Sequence, residues 1–201
     1  MIVVSPTDRW IREAFGECRS ELRVASPFVG GYLRDRIEEL PTKVQVTLLT
    51  RTLLSDFAGR ASDLDAVCAI AAKASQVLSL NSLHAKVYIV DDRQALITSA
   101  NATFSGMYRN SECGIALGKS QIRELTQTFA ASFGASHVAK PWTLDELQSL
   151  QGPVALLRKA LPSMPRIPSA ADQPPRLALR PSAFRKLIGE FSGWLRLHSK
   201  A

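Results

Sequence analysis

His84-Ala-Lys86-Val-Tyr-Ile-Val-Asp91 is followed by Thr98-Ser99-Ala-Asn101 and then by Asn110-Ser-Glu112. An imidazole is a nucleophile or base near neutral pH. An ammonium, a hydroxyl and a carboxamide can each donate to phosphate oxygens. On a strand, residues two apart share a face, so His84 and Lys86 point the same way. If the hairpin between the flanking apolar runs closes through Asp92 and Arg93, Lys86 faces Ser99 and His84 faces Asn101. Asp91 then faces Gln94. One open end of the hairpin would carry all four groups on one face. A longer turn would shift the pairing by one residue.

This pattern, H-x-K-x4-D, then a small-residue segment ending in S-x-N, then a Glu, resembles the signature of the phospholipase D superfamily. Here it reads His84, Lys86, Asp91, Ser99, Asn101 and Glu112. Val24-Ala-Ser26-Pro27-Phe28 looks like the family's first strand-to-loop segment, and Thr98 stands where the family usually has glycine. The resemblance covers residues 5–135 in layout and is strongest over 84–117. It implies that His84 Nε2 is the nucleophile and forms a phosphohistidine, while Lys86 and Asn101, helped by Ser99, hold the phosphate. It also implies that Glu112 accepts a hydrogen bond from a His84 ring N–H, fixing the tautomer. By parity Asp91 lies on the face opposite Lys86, which suits a structural role at the turn.

One histidine cannot attack phosphorus and protonate the leaving oxygen at once. His137, in Ser-His-Val-Ala-Lys140, has the wrong spacing for a second motif, and His198-Ser-Lys200 is followed by only Ala201. The single motif therefore implies a homodimer with two copies of His84 facing each other across a two-fold axis. Single-motif members of the family are mostly nucleases, so the resemblance implies a DNA endonuclease, with DNA favoured over RNA. Two alternatives stand beside it: a lipid phosphodiesterase or phosphatidyltransferase, and a non-catalytic nucleic-acid-binding module. Arg51, between Thr50 and Thr52 at a strand end, is a candidate substrate contact, as are Tyr108 and Arg109 between the halves of the motif. Each could equally sit on a solvated loop. No Cys/His cluster has zinc spacing and no [DE]-x-K tripeptide occurs, so neither a metal nor a cofactor is expected.

The elements that must position these groups alternate in type. Residues 2–4, 22–25, 44–49, 77–80, 87–90, 95–98 and, more weakly, 112–117 form short, mostly β-branched apolar runs that predict strands. Helical patterns cover 8–19, 32–40, 62–74 and 120–132. Strands separated by helices predict an α/β sandwich with a mixed, mostly parallel sheet flanked by helices on both faces. The strands on either side of Asp91–Gln94 are too close for a crossover and must be antiparallel. Thr143-Leu-Asp-Glu146 is a capping box that opens another helix. Six of the eleven prolines fall within 162–181, which excludes helix and central strand there. The expected organisation is a catalytic domain at 1–150, a basic proline-rich arm at 151–181 and an amphipathic helix at 182–201. In that last segment Phe184, Leu187, Ile188, Phe191, Trp194 and Leu195 recur at helical steps.

The charge is as uneven as the composition is ordinary. The net charge is +7, and all of it falls after residue 150, where nine basic residues meet only Asp172 and Glu190. Such asymmetry suggests a polyanionic partner, with Arg185, Lys186 and Arg196 as candidate phosphate contacts. At 46% hydrophobic and 21% charged, the chain is neither disordered nor fibrous. No apolar run is long enough for a membrane span, and the start has no basic region followed by an apolar one. Three scattered cysteines are no disulfide framework, so a cytoplasmic setting is expected. A place within a larger defence system is a further expectation, by analogy alone.

Overall fold

The computed structural model describes residues 1–133 and 139–160. His137 and His198 lie outside the described residues, as do the proline-rich stretch from 162 and the terminal stripe with Arg185, Lys186 and Arg196.

Eight strands make one sheet: β1 (Ile2–Val4), β2 (Glu21–Ala25), β3 (Gln45–Thr50), β4 (Gln76–Ser79), β5 (Val87–Val90), β6 (Gln94–Thr98), β7 (Cys113–Ala116) and β8 (Lys140–Pro141), in the spatial order β1-β7-β6-β5-β2-β3-β4-β8. The mixed α/β class agrees with the sequence pattern, but the parallel majority does not. Only β2–β3 and β3–β4 are parallel, and the other five neighbouring pairs are antiparallel. Two connections account for the difference. No helix separates β4 from β5, so β5 returns antiparallel against β2 and continues through β6 and β7 as a meander. Helix α1 (Asp8–Gly16) follows β1, yet β1 pairs with β7 at the far edge rather than with β2. Pro141 lies in β8 at the other edge, where a missing N–H costs no ladder bond.

Central strands are apolar at successive positions because both sheet faces are covered. On one face Leu22, Val24, Val46, Leu48, Tyr88 and Leu96 pack with Ile11 and Phe15 of α1, with Leu33 and Ile37 of α2 (Gly31–Glu38), and with Val67 and Ile70 of α4 (Leu64–Lys73). On the other, Ala25, Leu49, Leu78, Val87 and Ile89 meet Ile122 of α5 (Lys119–Phe133). Alternate residues along each strand thus feed opposite cores. Asp63 caps α4 by accepting from the N–H groups of Asp65 and Ala66 at 3.0 and 3.3 Å. The predicted capping box opens α6 (Leu144–Ser149): Thr143 Oγ1 accepts from Glu146 N at 3.2 Å, and Glu146 accepts from Thr143 N at 2.8 Å.

Gln151–Ala160, assigned by the sequence pattern to the start of the arm, forms helix α7. Pro153 falls in its first turn, where the missing N–H has no helical partner to lose. Val154 is buried, and Arg158 donates to the Phe57 carbonyl in α3 (Leu54–Ala58) at 3.1 Å. Helix α3 and a π-helical turn at Ser105–Arg109 have no counterpart in the sequence pattern. Each spans only five residues, too short for the apolar period to register.

Candidate active site

The β5–β6 hairpin sets the register of the site, and it does so differently from the two-residue turn. Val90 pairs with Gln94 and Val87 with Ile97, so three residues, Asp91, Asp92 and Arg93, make the connection. Asp91 and Asp92 both take left-handed backbone angles, with φ of 52° and 53°, a conformation that aspartate tolerates better than most residues. Asp91 is held out of the β5–β6 ladder by β2. Its N–H donates to the Glu21 carbonyl at 2.9 Å. Its carboxylate accepts from Arg19 N at 2.7 Å, from Ser20 N at 2.8 Å, from Ser20 Oγ at 2.7 Å and from Glu21 N at 2.8 Å. Burial pushes this carboxyl up, but the bonds from Glu21, Ser20 and Arg19 outweigh it and hold the carboxyl well below the usual carboxylate range. Asp91 thus ties the hairpin to the start of β2, at the end remote from His84.

The shifted register places Lys86, not the neighbouring position, across from Thr98: Thr98 N donates to the Lys86 carbonyl at 3.1 Å. The expected facing pairs Lys86–Ser99 and His84–Asn101 are therefore corrected by one residue. Beyond Val87 and Thr98 both chains leave the ladder, so strand parity no longer governs where side chains go. His84 is exposed and Lys86 is buried. Lys86 Nζ donates to the His84 carbonyl at 2.8 Å, fixing the ammonium beside the backbone that carries the imidazole. Burial lowers the Lys86 pKa from its ordinary value, and the Glu112 charge partly offsets this.

Glu112 does not reach His84 among the hydrogen bonds of the described residues. One carboxylate oxygen accepts from Ser99 Oγ, the other from Asn110 Nδ2 at 3.0 Å. The expected imidazole–carboxylate bond is thus replaced by a hydroxyl–carboxylate–carboxamide cluster. Ser99 Oγ also accepts from Cys113 N at 3.1 Å. Ser5, absent from the motif, completes this cluster: its Oγ accepts from Glu112 N at 2.6 Å and donates to Asn110 O at 2.8 Å. These contacts span more than a hundred positions in the chain, and no local pattern signals them. Thr98 is accommodated by Gly114 across the ladder, where an added Cβ would stand 2.8 Å from Thr98 Cβ.

Asn101 follows in a loop stapled to the first strand-to-loop segment. Ser26 Oγ accepts from Ala102 N at 3.0 Å, and Gly30 N donates to the Ala102 carbonyl at 3.0 Å. The Asn101 Oδ1 atom is buried with no hydrogen-bond partner.

The flanking candidates separate. Arg51 is ion-paired with Asp56 at 2.8 Å and stacked over the Phe28 ring at 5.4 Å, so its charge is already matched. Tyr108 and Arg109 lie on the π-helical turn after Asn101, and Phe104, a residue outside the expected set, immediately precedes it. The Phe104 and Tyr108 rings are 4.8 Å apart, and the Arg109 guanidinium lies 5.1 Å over Phe104. Behind Tyr108, Tyr32 meets it edge-on at 5.8 Å and donates its hydroxyl to Asp8 at 2.8 Å. No local pattern marks Phe104, whose exposure is decided by the turn that carries it.

The arrangement presents an exposed imidazole, a buried ammonium and a carboxamide whose Nδ2 group can donate, all at one end of the sheet, which is chemistry suited to a phosphate group. Comparison with known proteins bears on the fold and the family. Nuc from Salmonella typhimurium, a phospholipase D family member, superposes with a TM-score of 0.60 at 17% identity, covering 71% of this chain and 97% of that chain. NucT from Helicobacter pylori gives 0.51 at 15% identity, covering 66% and 94%. Phosphatidylserine synthase from Haemophilus influenzae gives 0.59 at 18% identity, covering 76% of this chain and 41% of its own. At these identities the likeness is one of fold. No curated protein matches the sequence. The family model described as "Cardiolipin synthase, PLD-like domain" matches residues 11–136. The chain therefore belongs to the phospholipase D-like family of phosphodiesterase-fold proteins.

Proposed function

We propose that this protein is a metal-independent DNA endonuclease that works as a homodimer through a phosphohistidine. The observation that carries the reading is the pairing of exposed His84 with a Lys86 ammonium bonded to the His84 carbonyl at 2.8 Å. In the proposed reaction His84 Nε2 attacks phosphorus and the P–O bond to the leaving sugar oxygen breaks. The partner's His84 gives that oxygen a proton. The same partner group then takes a proton from water as the water oxygen displaces Nε2, which restores both histidines. Lys86 and Asn101, helped by Ser99, hold the non-bridging oxygens as charge develops on them. Asp91 positions the hairpin, and Glu112 positions Ser99.

Two features of the chain support nucleic acid over lipid. Its whole net charge of +7 falls after residue 150, and no helix of the described residues is long and apolar enough to cross a membrane. Arg185, Lys186 and Arg196 are proposed as phosphate contacts on sequence grounds. The test is cleavage of supercoiled plasmid DNA in EDTA, with a short-chain phospholipid in parallel. Nicking by the wild type that His84→Ala abolishes supports the reading. Hydrolysis of the phospholipid alone would replace it with a lipid phosphodiesterase, and DNA binding without hydrolysis would replace it with a binding module.

A further inference from the structure

Phe104 and Tyr108 are large apolar rings left 53% and 42% exposed, and they are held rather than loose. The turn that carries them is bonded to the Asn101 loop, with Thr103 N donating to the Asn101 carbonyl at 2.7 Å and Met107 N to the Thr103 carbonyl at 3.0 Å. The Met107 side chain is fully buried beneath the turn. Tyr32 backs Tyr108 edge-on, and the buried Asp8 carboxylate fixes Tyr32 in turn. The two exposed rings are tilted by 40° to each other, and Arg109 adds a cation beside Phe104. Rigid exposed rings beside a guanidinium, one short turn beyond a candidate phosphate ligand, suit a partner that carries both a flat π-face and a phosphate.

We propose that Phe104 and Tyr108 form a stacking platform for an unpaired base next to the scissile phosphate, so that the preferred substrate is single-stranded nucleic acid. The proposal rests on the nuclease reading above and narrows it. In a duplex every base face except the terminal ones is covered by its neighbours, so the rings gain contact only with an unpaired base. An acyl chain has no use for the arginine over the ring. Arg109 can instead contact the phosphate flanking the stacked base. Because the turn hangs from Asn101, a base seated on the rings also fixes the phosphate relative to Lys86 and Asn101.

The experiment uses the full-length protein in two arms. In the first, His84→Ala protein binds a fluorescein-labelled oligothymidylate or a hairpin duplex of equal charge, followed by anisotropy. Phe104→Ala in that background is expected to weaken oligothymidylate binding about tenfold, the order of one stacked base, and to leave the duplex nearly unchanged. Phe104 is exposed, so its truncation spares the core, and Phe104→Trp is expected to restore binding. In the second arm, Phe104→Ala in the otherwise wild-type enzyme is expected to raise KM on the oligonucleotide with kcat little changed. Equal loss on both nucleic acids, or no loss on either, overturns the platform. Loss of binding to anionic phosphatidylglycerol vesicles in place of the oligonucleotide also overturns it, in favour of a membrane contact. A wild type that cleaves no DNA yet shows Phe104-dependent oligothymidylate binding overturns the nuclease reading and leaves the platform standing.

Discussion

The α-carbon of Gly106 rests directly on the backbone of Asn101: a Cβ added at Gly106 would lie 2.4 Å from the Asn101 carbonyl oxygen and 2.8 Å from its nitrogen. Real Cβ atoms do not approach backbone that closely, so only glycine lets the π-helical turn close against the Asn101 loop. π-helical turns often mark functional sites, and here the close approach fixes the position of a candidate phosphate ligand. Gly106→Ala is therefore expected to displace Asn101 and lower kcat/KM by about 10²-fold, the scale of a misplacement of about 1 Å in a reacting group. A far-ultraviolet circular dichroism spectrum like the wild type's, with normal cleavage, would refute this.

His84→Ala removes the proposed attacking atom and is expected to abolish cleavage while leaving the melting temperature within a few degrees, since the side chain is exposed. Asn101→Ala is expected to lower kcat by about 10²- to 10³-fold, the measured scale for losing one donor to a developing oxyanion. Single-turnover cleavage of a labelled oligonucleotide reads both.

Burial lowers the Lys86 pKa and the Glu112 carboxylate raises it in part. The ammonium is the form that binds phosphate, so activity is expected to fall on the alkaline side below the ordinary lysine pKa of about 10.4. Glu112→Gln removes the opposing charge and is expected to move that limb to still lower pH. A pH–rate profile of both proteins in EDTA checks the direction; a limb that moves up would sink the assignment.

Asp91 is bonded by three backbone N–H groups and a hydroxyl, and its folded pKa lies below the unfolded value. The stability it contributes is fully present above the ordinary aspartate pKa of about 3.9 and is lost as pH falls toward the depressed folded value. Asp91→Asn is expected to cost about 2 kcal/mol at neutral pH, the scale of hydrogen bonds to a charged group, and several degrees in Tm. The gap between the two proteins should close on acidification below about pH 4. Thermal melts at pH 7 and pH 3 test this.

The proposed dimer is expected to run at about twice 22.0 kDa by light scattering. Cleavage is expected to survive millimolar EDTA, since Lys86 and two histidines supply the charge that a metal supplies elsewhere. A monomer that turns over, or an EDTA-dead enzyme restored by Mg²⁺, would overturn the reaction as proposed.

Much of the fold was legible along the chain. Seven of the eight strands follow apolar runs in the sequence to within a residue or two, because local runs of Val, Ile and Leu report burial directly. The eighth, Lys140–Pro141, is two residues at an edge and carries no apolar signal. Strand direction was not legible, because alternation of strand and helix predicts neighbours in sequence rather than neighbours in space. Strand β1 lies beside β7, more than a hundred residues away, and β5 follows β4 with no crossover helix and continues as a meander, so the sheet is mostly antiparallel.

What the sequence by itself determined is the set of reactive types and their spacing: His84, Lys86, Ser99, Asn101 and Glu112 are named by a motif whose chemistry follows from the side chains alone. Tertiary structure decided which of them meet. Two left-handed aspartates lengthened the β5–β6 turn and moved the register by one residue. Ser5 arrived from the far end of the chain to hold Glu112. Glu112 went to Ser99 and Asn110 instead of to His84. Motif spacing is a property of the backbone between neighbours, whereas a hydrogen bond across the fold depends on where the ladder ends and on which loop the core leaves free to close over it.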